Sequence, residues 1–100
     1  MNVHPFTPAF KSTQKITVVG TSTAATNLMN ANDPCVRITN SGGNDCFVNI
    51  SSIATTCDDT DLIVLSKTSI VVYKGSAQYL SAIHVSANTV LYFTTGNNGV

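Results

Sequence analysis

The chain has 100 residues, enough for one domain, and a formal net charge of zero at pH 7. Only 10% of its residues are charged, whereas about a quarter is usual in a soluble domain. Its five basic residues are scattered, which argues against a nucleic-acid-binding surface, because such a surface needs clustered Lys and Arg. No stretch approaches the roughly 18 apolar residues of a membrane span, so we expect no membrane segment.

The composition favours strands over helices. The sequence contains no Glu, ten Asn, and twenty-four Ser and Thr residues. Thr, Val, Ile and Tyr suit strands, and Asn and Gly suit turns, whereas helix formers with long polar side chains are scarce here. We therefore predict an all-β fold.

The beginning of the chain differs from the rest, and we expect residues 1–13 to form an N-terminal arm. It carries two prolines and two phenylalanines: Pro5, Pro8, Phe6 and Phe10. The prolines disfavour regular hydrogen bonding and should keep the arm out of the sheet, and the phenylalanines are too apolar for a free tail. Two arrangements remain open, in which the arm lies either on its own domain or on a neighbouring subunit. We expect residues 14–100 to form a single β-sandwich domain.

The strongest structural signal spans residues 35–51. Val36 and Ile38 alternate with polar residues, and the alternation returns from Cys46 to Ile50. Between the two runs lie Asn40, Ser41, Gly42, Gly43 and Asn44, which are residues typical of a tight turn. This pattern predicts a β-hairpin in which at least one of the two glycines has a positive φ.

Further strands are predicted on both sides of this segment. They cover residues 14–19, 21–29, 62–65, 70–73, 79–85 and 90–94, the second being the weakest. In total, about eight short antiparallel strands with turn signals every 8–12 residues indicate a β-sandwich or barrel. Residues 62–65 and 90–93 are apolar on both faces, so the arm or another subunit should cover their outer side.

The residue types that bind metals do not form a recognisable motif. The soft ligands available are Cys35, Cys46, Cys57, His4 and His84. None has C-x2-C or H-x3-H spacing, and three cysteines do not fit a disulfide framework, so we expect buried free thiols. Three acids lie in a polar loop: Asp58, Asp59 and Asp61. They lack the EF-hand pattern, and we interpret them as a solvated turn.

No arrangement typical of catalysis is present either. The chain lacks a G-x-S-x-G elbow and a phosphate-binding Gly loop before a helix. His84 alternates with apolar residues, so we interpret it as a hydrogen-bonded structural residue. We therefore predict that the protein is not an enzyme and needs no cofactor. Tyr73, Tyr79 and Tyr92 form a possible binding face, or pack at the rims of the sandwich with their hydroxyls in water.

Several segments resemble a known family. They are Phe6-Thr7-Pro8, RITNSGGNDCFVNI (residues 37–50) and YLSAIHVSANTVLYFTTGNNG (residues 79–99). The pattern resembles small capsid decoration or cement proteins of tailed bacteriophages, which have a jelly-roll-like sandwich. The polar loop with Cys57 and the acids departs from that pattern, and it either contacts a partner or is variable.

The resemblance implies a structural virion protein, made in the host cytoplasm, that binds the outside of an assembled phage head and stabilises it. Its partners would be itself, as a homodimer or homotrimer, and the major capsid protein, with Pro5, Phe6, Pro8 and Phe10 as contact residues. The alternative is a tail-fibre or receptor-binding module that recognises surface glycans through the tyrosines.

Overall fold

The computed structural model describes residues 5–100, which form nine β-strands and no helix that could cross a membrane. The strands are β1 (Thr7–Pro8), β2 (Gln14–Val18), β3 (Thr23–Ala24), β4 (Cys35–Asn40), β5 (Cys46–Ser51), β6 (Leu62–Val64), β7 (Thr68–Tyr73), β8 (Tyr79–His84) and β9 (Thr89–Asn97). Most lie close to the predicted ranges. The exception is the strand expected over residues 21–29, where only the two residues of β3 pair with a neighbour.

The strands form two antiparallel sheets. In sheet 1, β9 lies between β4 and the pair β1 and β2, and β7 lies on the far side of β4. Sheet 2 has the order β3-β8-β5-β6. The strand orders β2-β9-β4-β7 and β3-β8-β5-β6 are those of a jelly roll, a sandwich of two four-stranded sheets with Greek-key connections. The predicted antiparallel, jelly-roll-like β-sandwich is therefore confirmed.

The core lies between the inner faces of the two sheets. Alternation along the strands points Val36 and Ile38 of β4 inward, with Arg37 on the outside. The buried cluster consists of Ile16, Val18, Val36, Ile38, Leu91 and Phe93 from sheet 1, Cys46, Val48, Val64, Leu80 and Ala82 from sheet 2, and Met29 from a loop. Burying one such side chain contributes about 1.5–3 kcal/mol, so this core is the main source of stability.

The predicted hairpin over residues 35–51 is wrong. The two strands exist, but β4 pairs with β7 and β9, whereas β5 pairs with β6 and β8. Residues 41–45 therefore carry the chain from one sheet to the other instead of reversing it within a sheet. The alternation is the same in both cases, because both arrangements need one inward face per strand.

The positive φ expected at Gly42 or Gly43 is also wrong, because the glycines with positive φ are Gly75 and Gly99. A crossing loop does not need the mirror-image turn of a two-residue hairpin. Gly42 is needed for a close approach instead. A Cβ atom at Gly42 would overlap the Thr89 hydroxyl and lie 2.8 Å from the backbone nitrogen of Val90.

The crossing loop is anchored by the side chain of Asn40, which is completely buried. Its Nδ2 donates to the carbonyl oxygens of Asn44 (2.8 Å) and Val64 (3.2 Å). Its Oδ1 accepts from the Thr89 hydroxyl (2.7 Å) and from the backbone N–H of Gly42 (3.2 Å). One amide thus ties β4 and β9 of sheet 1 to β6 of sheet 2 and to the loop between the sheets.

The described part of the arm lies on its own domain. β1 pairs with the C-terminal end of β9, so the expectation that prolines keep the arm out of the sheet is wrong. Pro8 is tolerated because an edge strand can leave one hydrogen-bonding position unused. Phe6 is half-buried and packs against Gly96 and Gly99. A Cβ atom added at either glycine would lie within 2.9 Å of an atom of Phe6. Phe10, in contrast, is 90% exposed.

The close contact at Gly42 predicts different effects for two neighbouring substitutions. Gly42→Ala should lower the free energy of unfolding by about 2 kcal/mol, because the added methyl group forces Thr89 and Val90 apart. Gly43→Ala is the matched control, since no atom of residues 5–100 lies within 4 Å of the added Cβ. Urea denaturation of both variants measures the difference, and equal stabilities would contradict the close approach.

The hydrogen bonds of Asn40 predict a pH-dependent defect in Asn40→Asp. The introduced carboxylate cannot donate to the two carbonyls that Nδ2 serves, so we expect a loss of about 3 kcal/mol at neutral pH. Burial favours the protonated acid, so part of the loss should be recovered as the pH falls. Denaturation at neutral and mildly acidic pH measures this, with Asn97→Asp, at an exposed position, as the control. A loss that does not depend on pH would contradict the buried location.

Candidate protein-interaction face

The outer face of sheet 2 carries an apolar row that runs across three strands. The strand register places Ile63 of β6 beside Phe47 of β5, and Phe47 beside Ile83 of β8. All three point outward, because their neighbours along each strand face the core. Ile63 is 45% exposed, and the other two are half-buried.

Two further apolar side chains lie toward the end of the sandwich, on either side of Asp45 in the strand register. Leu65 follows the inward Val64 and is 52% exposed, and Val85 follows His84 and is 46% exposed. Both continue the alternation that points Ile63 and Ile83 outward. The five residues Ile63, Phe47, Ile83, Leu65 and Val85 are called the apolar face below.

The other half of the same surface is covered by the loop of residues 52–61. The hydroxyl of Ser81 in β8 donates to the carbonyl of Thr55 (2.8 Å), and Ser81 is only 4% exposed. The backbone N–H of Cys57 donates to the hydroxyl of Ser22 (2.8 Å), beside β3. The loop therefore covers the outer side of β8 around Ser81, whereas the cover expected from the sequence concerned residues 62–65 and 90–93. It stops short of the apolar face.

Two of the three acidic residues of this loop, Asp58 and Asp61, accept hydrogen bonds. Asp61 accepts from the side chain of Asn49 (2.8 Å) and from the backbone N–H of Asp58 (2.9 Å). Asp58 accepts from the backbone N–H of Thr60 (2.9 Å) and from its hydroxyl, and these bonds lower the pKa of the Asp58 carboxyl. Among residues 5–100, no group of three His, Cys, Asp or Glu side chains could hold a metal ion. His4 lies outside the described residues.

One inner cluster contains the side-chain types of a cysteine nucleophile site. Cys46 lies opposite His84 in the register of β5 and β8, and Asn40 Nδ2 is 3.7 Å from the Cys46 sulfur. However, Cys46 is completely buried, and burial, aided by Asp45, raises the pKa of its thiol to about 11. A neutral thiol that solvent cannot reach is a poor nucleophile, so the cluster acts as packing.

The remaining cysteines and His84 are also structural. All three cysteines are free and buried, as predicted from their spacing. Burial raises the pKa of the Cys57 thiol to about 12, with a further contribution from Asp61. The ring of His84 lies against Gly20, and its Nδ1 is buried without a hydrogen-bond partner among the described residues. The expectation of a hydrogen-bonded ring is thus wrong at Nδ1.

The three tyrosines of the possible binding face do not share a face. Tyr73 in β7 and Tyr92 in β9 point outward from sheet 1 and are 71% and 38% exposed. Tyr79 begins β8 and points outward from sheet 2, on the opposite side of the sandwich. Tyr73 and Tyr92 are themselves two strands and four residues apart in register, or roughly 16 Å.

The apolar face as a whole was not predicted from the sequence. One part of it was indicated in the sequence, because residues 62–65 are apolar on both faces of the strand. This pattern correctly indicated apolar side chains that the sandwich core does not bury. Phe47, Ile83 and Val85 could not be joined to that row, because their alignment depends on which strands pair.

Comparisons with known proteins agree with the fold. No family model matches the chain, and a search of curated proteins finds no match. The fold is similar to that in the crystal structure of PirA, with a TM-score of 0.60 and 10% sequence identity over 87% of this chain and 95% of PirA. At this identity the similarity concerns the fold alone.

The buried thiols predict that the free energy of unfolding falls as the pH rises above about 9. The pKa values of Cys46 and Cys57 in the folded protein, about 11 and about 12, exceed the ordinary value of 9.0. The thiols of the unfolded chain therefore lose their protons first. The stability is complete below the ordinary value and is lost progressively as the pH approaches the folded-state values. Urea denaturation across this alkaline range measures the decline.

A double variant, Cys46→Ala with Cys57→Ala, provides the control. It should be less stable at neutral pH but should lose stability more slowly on the alkaline side. Lys74, whose pKa is lowered by burial, is present in both proteins, so its effect cancels in the comparison. Parallel alkaline declines would contradict the assignment to the thiols.

Proposed function

We propose that this protein is a structural binding protein that attaches to the outer surface of an assembled phage capsid and stabilises it. The apolar face of sheet 2 is the observation that favours this role most. In this role the protein is made in the host cytoplasm and resides on the virion, with copies of itself and the major capsid protein as its partners.

The form of the apolar face suits another protein better than a small ligand. Small-molecule sites are concave and bury most of their ligand, whereas the row from Ile63 to Ile83 lies on the open side of a sheet. Contiguous apolar patches on monomers are usually small, and larger ones mark interaction sites. A broad, nearly flat partner such as the outside of a capsid subunit would cover all five side chains at once.

A weak contact is sufficient for a stabilising role. A protein that binds the assembled capsid but not its separate subunits shifts the equilibrium toward assembly by mass action. At a free concentration of about 100 times Kd, the gain is about 2.7 kcal/mol per site. Because a capsid repeats the same site many times, modest affinity at each site protects the whole particle.

The split positions of the tyrosines weigh against the alternative function. A glycan-binding module needs aromatic groups that converge on one sugar, and Tyr79 lies on the opposite side of the sandwich from the other two. The alternative therefore loses the shared tyrosine face on which it was based.

The proposal predicts that a charge in the apolar face prevents attachment without unfolding the protein. Ile63→Lys should lower binding to capsids at least about 100-fold, because the ammonium group would be desolvated within the contact. The measurement is co-sedimentation with phage particles from the source culture that have been stripped of the protein. Mass spectrometry of the intact particles shows beforehand whether the protein is part of them.

Thr39→Lys is the matched control, because Thr39 lies on the outer face of sheet 1 beside Tyr92. Its binding should equal that of the unmodified protein. Absence of the protein from purified particles would overturn the virion role. Equal binding by Ile63→Lys and Thr39→Lys would overturn the assignment of the face.

A further inference from the structure

Phe10 projects from a turn that the chain holds in place. The backbone N–H of Ala9 donates to the carbonyl of Thr95 (2.8 Å), and the Ser12 hydroxyl donates to the carbonyl of Ala9 (2.6 Å). Lys11 completes the turn with a φ of 66°. The ring of Phe10 nevertheless remains 90% exposed. A large apolar ring on a fixed turn loses little conformational freedom when a partner covers it.

A cleft of about 240 Å³ opens on the same edge of the sandwich. Its apolar lining comes from Ala24, Ala25, Leu28, Ala54 and Leu80. Three of these residues are alanines, and their small side chains leave the space that a larger side chain would fill. None of the described residues that line the cleft is charged.

Phe10 and the cleft lie on either side of Leu28. Residues 11–14, which follow Phe10, line a neighbouring depression, and Asn27 and Leu28 line both that depression and the cleft. The side chain of Gln14 binds the backbone N–H and carbonyl of Asn27 at 3.2 and 3.1 Å, which fixes the two segments together. Leu28 is itself 55% exposed, so an apolar ridge separates the projecting ring from the cleft.

The size and polarity of the cleft favour a single apolar side chain as its occupant. Ligand pockets are commonly about 300–1,000 Å³, which is larger than this cleft. Two of the polar side chains that line the cleft already form hydrogen bonds within the chain. The Ser81 hydroxyl donates to the carbonyl of Thr55, and the Gln78 amide donates to the carbonyl of Met29 (3.2 Å).

We infer that the protein forms a symmetric homodimer in which Phe10 of each copy inserts into the cleft of the other. A two-fold axis near Leu28 brings each ring opposite the partner's cleft and packs the two Leu28 side chains together, which is the self-complementary arrangement of a two-fold dimer. Phe10 cannot fill its own cleft while the Ala9–Ser12 turn holds it outward. In the proposed capsid-binding role, a second copy of the protein is one of the partners, and this dimer would be that contact. The inference rests on the proposed function in this respect.

The area available indicates a dimer of moderate affinity. A phenylalanine buries about 150–250 Å². Two rings and the two clefts that receive them therefore supply about 600–1,000 Å², and the Leu28 contact and the rims add to this. The rings and clefts alone lie below the range of about 1,200–2,000 Å² for specific interfaces, so the Leu28 contact and the rims must supply the remainder. We expect dissociation in the micromolar range.

Sedimentation equilibrium across micromolar concentrations tests the dimer. Phe10→Ala should weaken association at least about 100-fold, because each dimer loses two buried rings. Ala54→Phe should have the same effect by filling the cleft from within, and Ala54 is exposed, so the fold should tolerate it. Tyr73→Ala removes another exposed aromatic ring, from sheet 1, and should leave association unchanged.

Mixing Phe10→Ala with Ala54→Phe provides a sharper test. The first keeps an intact cleft and the second an intact Phe10, so the mixture forms one of the two insertions. It should associate more strongly than either variant alone and less strongly than the unmodified protein. A monomeric unmodified protein at high micromolar concentration, or a Phe10→Ala dimer of full strength, would overturn the inference.

This result can be separated from the capsid test. Phe10→Ala and Ala54→Phe leave the apolar face of sheet 2 intact, and Ile63→Lys leaves Phe10 and the cleft intact. Ile63→Lys should therefore still dimerise, and loss of dimerisation in that variant would contradict the location of the dimer contact.

Discussion

The side chain of Asn40 is the point on which the architecture depends. A jelly roll must pass the chain from one sheet to the other, and the backbone groups in such a crossing have no strand partner. Here one buried amide supplies two donors and accepts two hydrogen bonds, so it serves the crossing loop and both sheets simultaneously. An unsatisfied polar group at this depth would cost about 1–3 kcal/mol, so the network holds only when every member is present.

The same arrangement explains the glycine beside it. Oδ1 of Asn40 accepts from Gly42 N–H and from the Thr89 hydroxyl, which brings the loop backbone directly against the start of β9. There is no room for a Cβ atom between them. The requirement for glycine therefore arises from the hydrogen-bond network and not from backbone conformation. The open position at Gly43 shows how local that requirement is.

Alternation along single strands was the part of the structure that the sequence predicted well. Val36, Ile38 and Val48 face the core because period-two patterning survives any choice of strand partner. Strand pairing is a different matter, because it depends on contacts between residues far apart in the chain. The turn residues around Gly42 suited a hairpin and a sheet-to-sheet crossing equally well, and only the partners of β4 and β5 distinguish the two.

For the candidate sites too, the sequence indicated single residues but not the way in which strand pairing brings them together. The apolar character of residues 62–65 was visible in the sequence as a mismatch with a simple two-faced sheet, and Phe10 was visible as a ring too apolar for a free tail. The alignment of Ile63 with Phe47 and Ile83 was not visible, because it is a property of the β6-β5-β8 register. The same holds for buried Lys74, whose ammonium donates to the carbonyls of Asn30 (2.7 Å) and Ala77 (2.9 Å). From the sequence alone, a lysine that donates hydrogen bonds to two loops cannot be distinguished from an ordinary surface lysine.

The abundance of Ser, Thr and Asn, and the low charge that accompanies it, have a structural cause. Many of these side chains bind backbone groups in loops, as Thr68 does to the carbonyl of Leu65 and Asn44 to that of Asn88. A small sandwich with long connections needs such bonds, because its loops have many backbone groups without strand partners. Low charge alone is therefore a weak indication of assembly. The exposed apolar groups carry that argument instead, because the hydrogen-bonded loops that cover half of sheet 2 leave the apolar face uncovered.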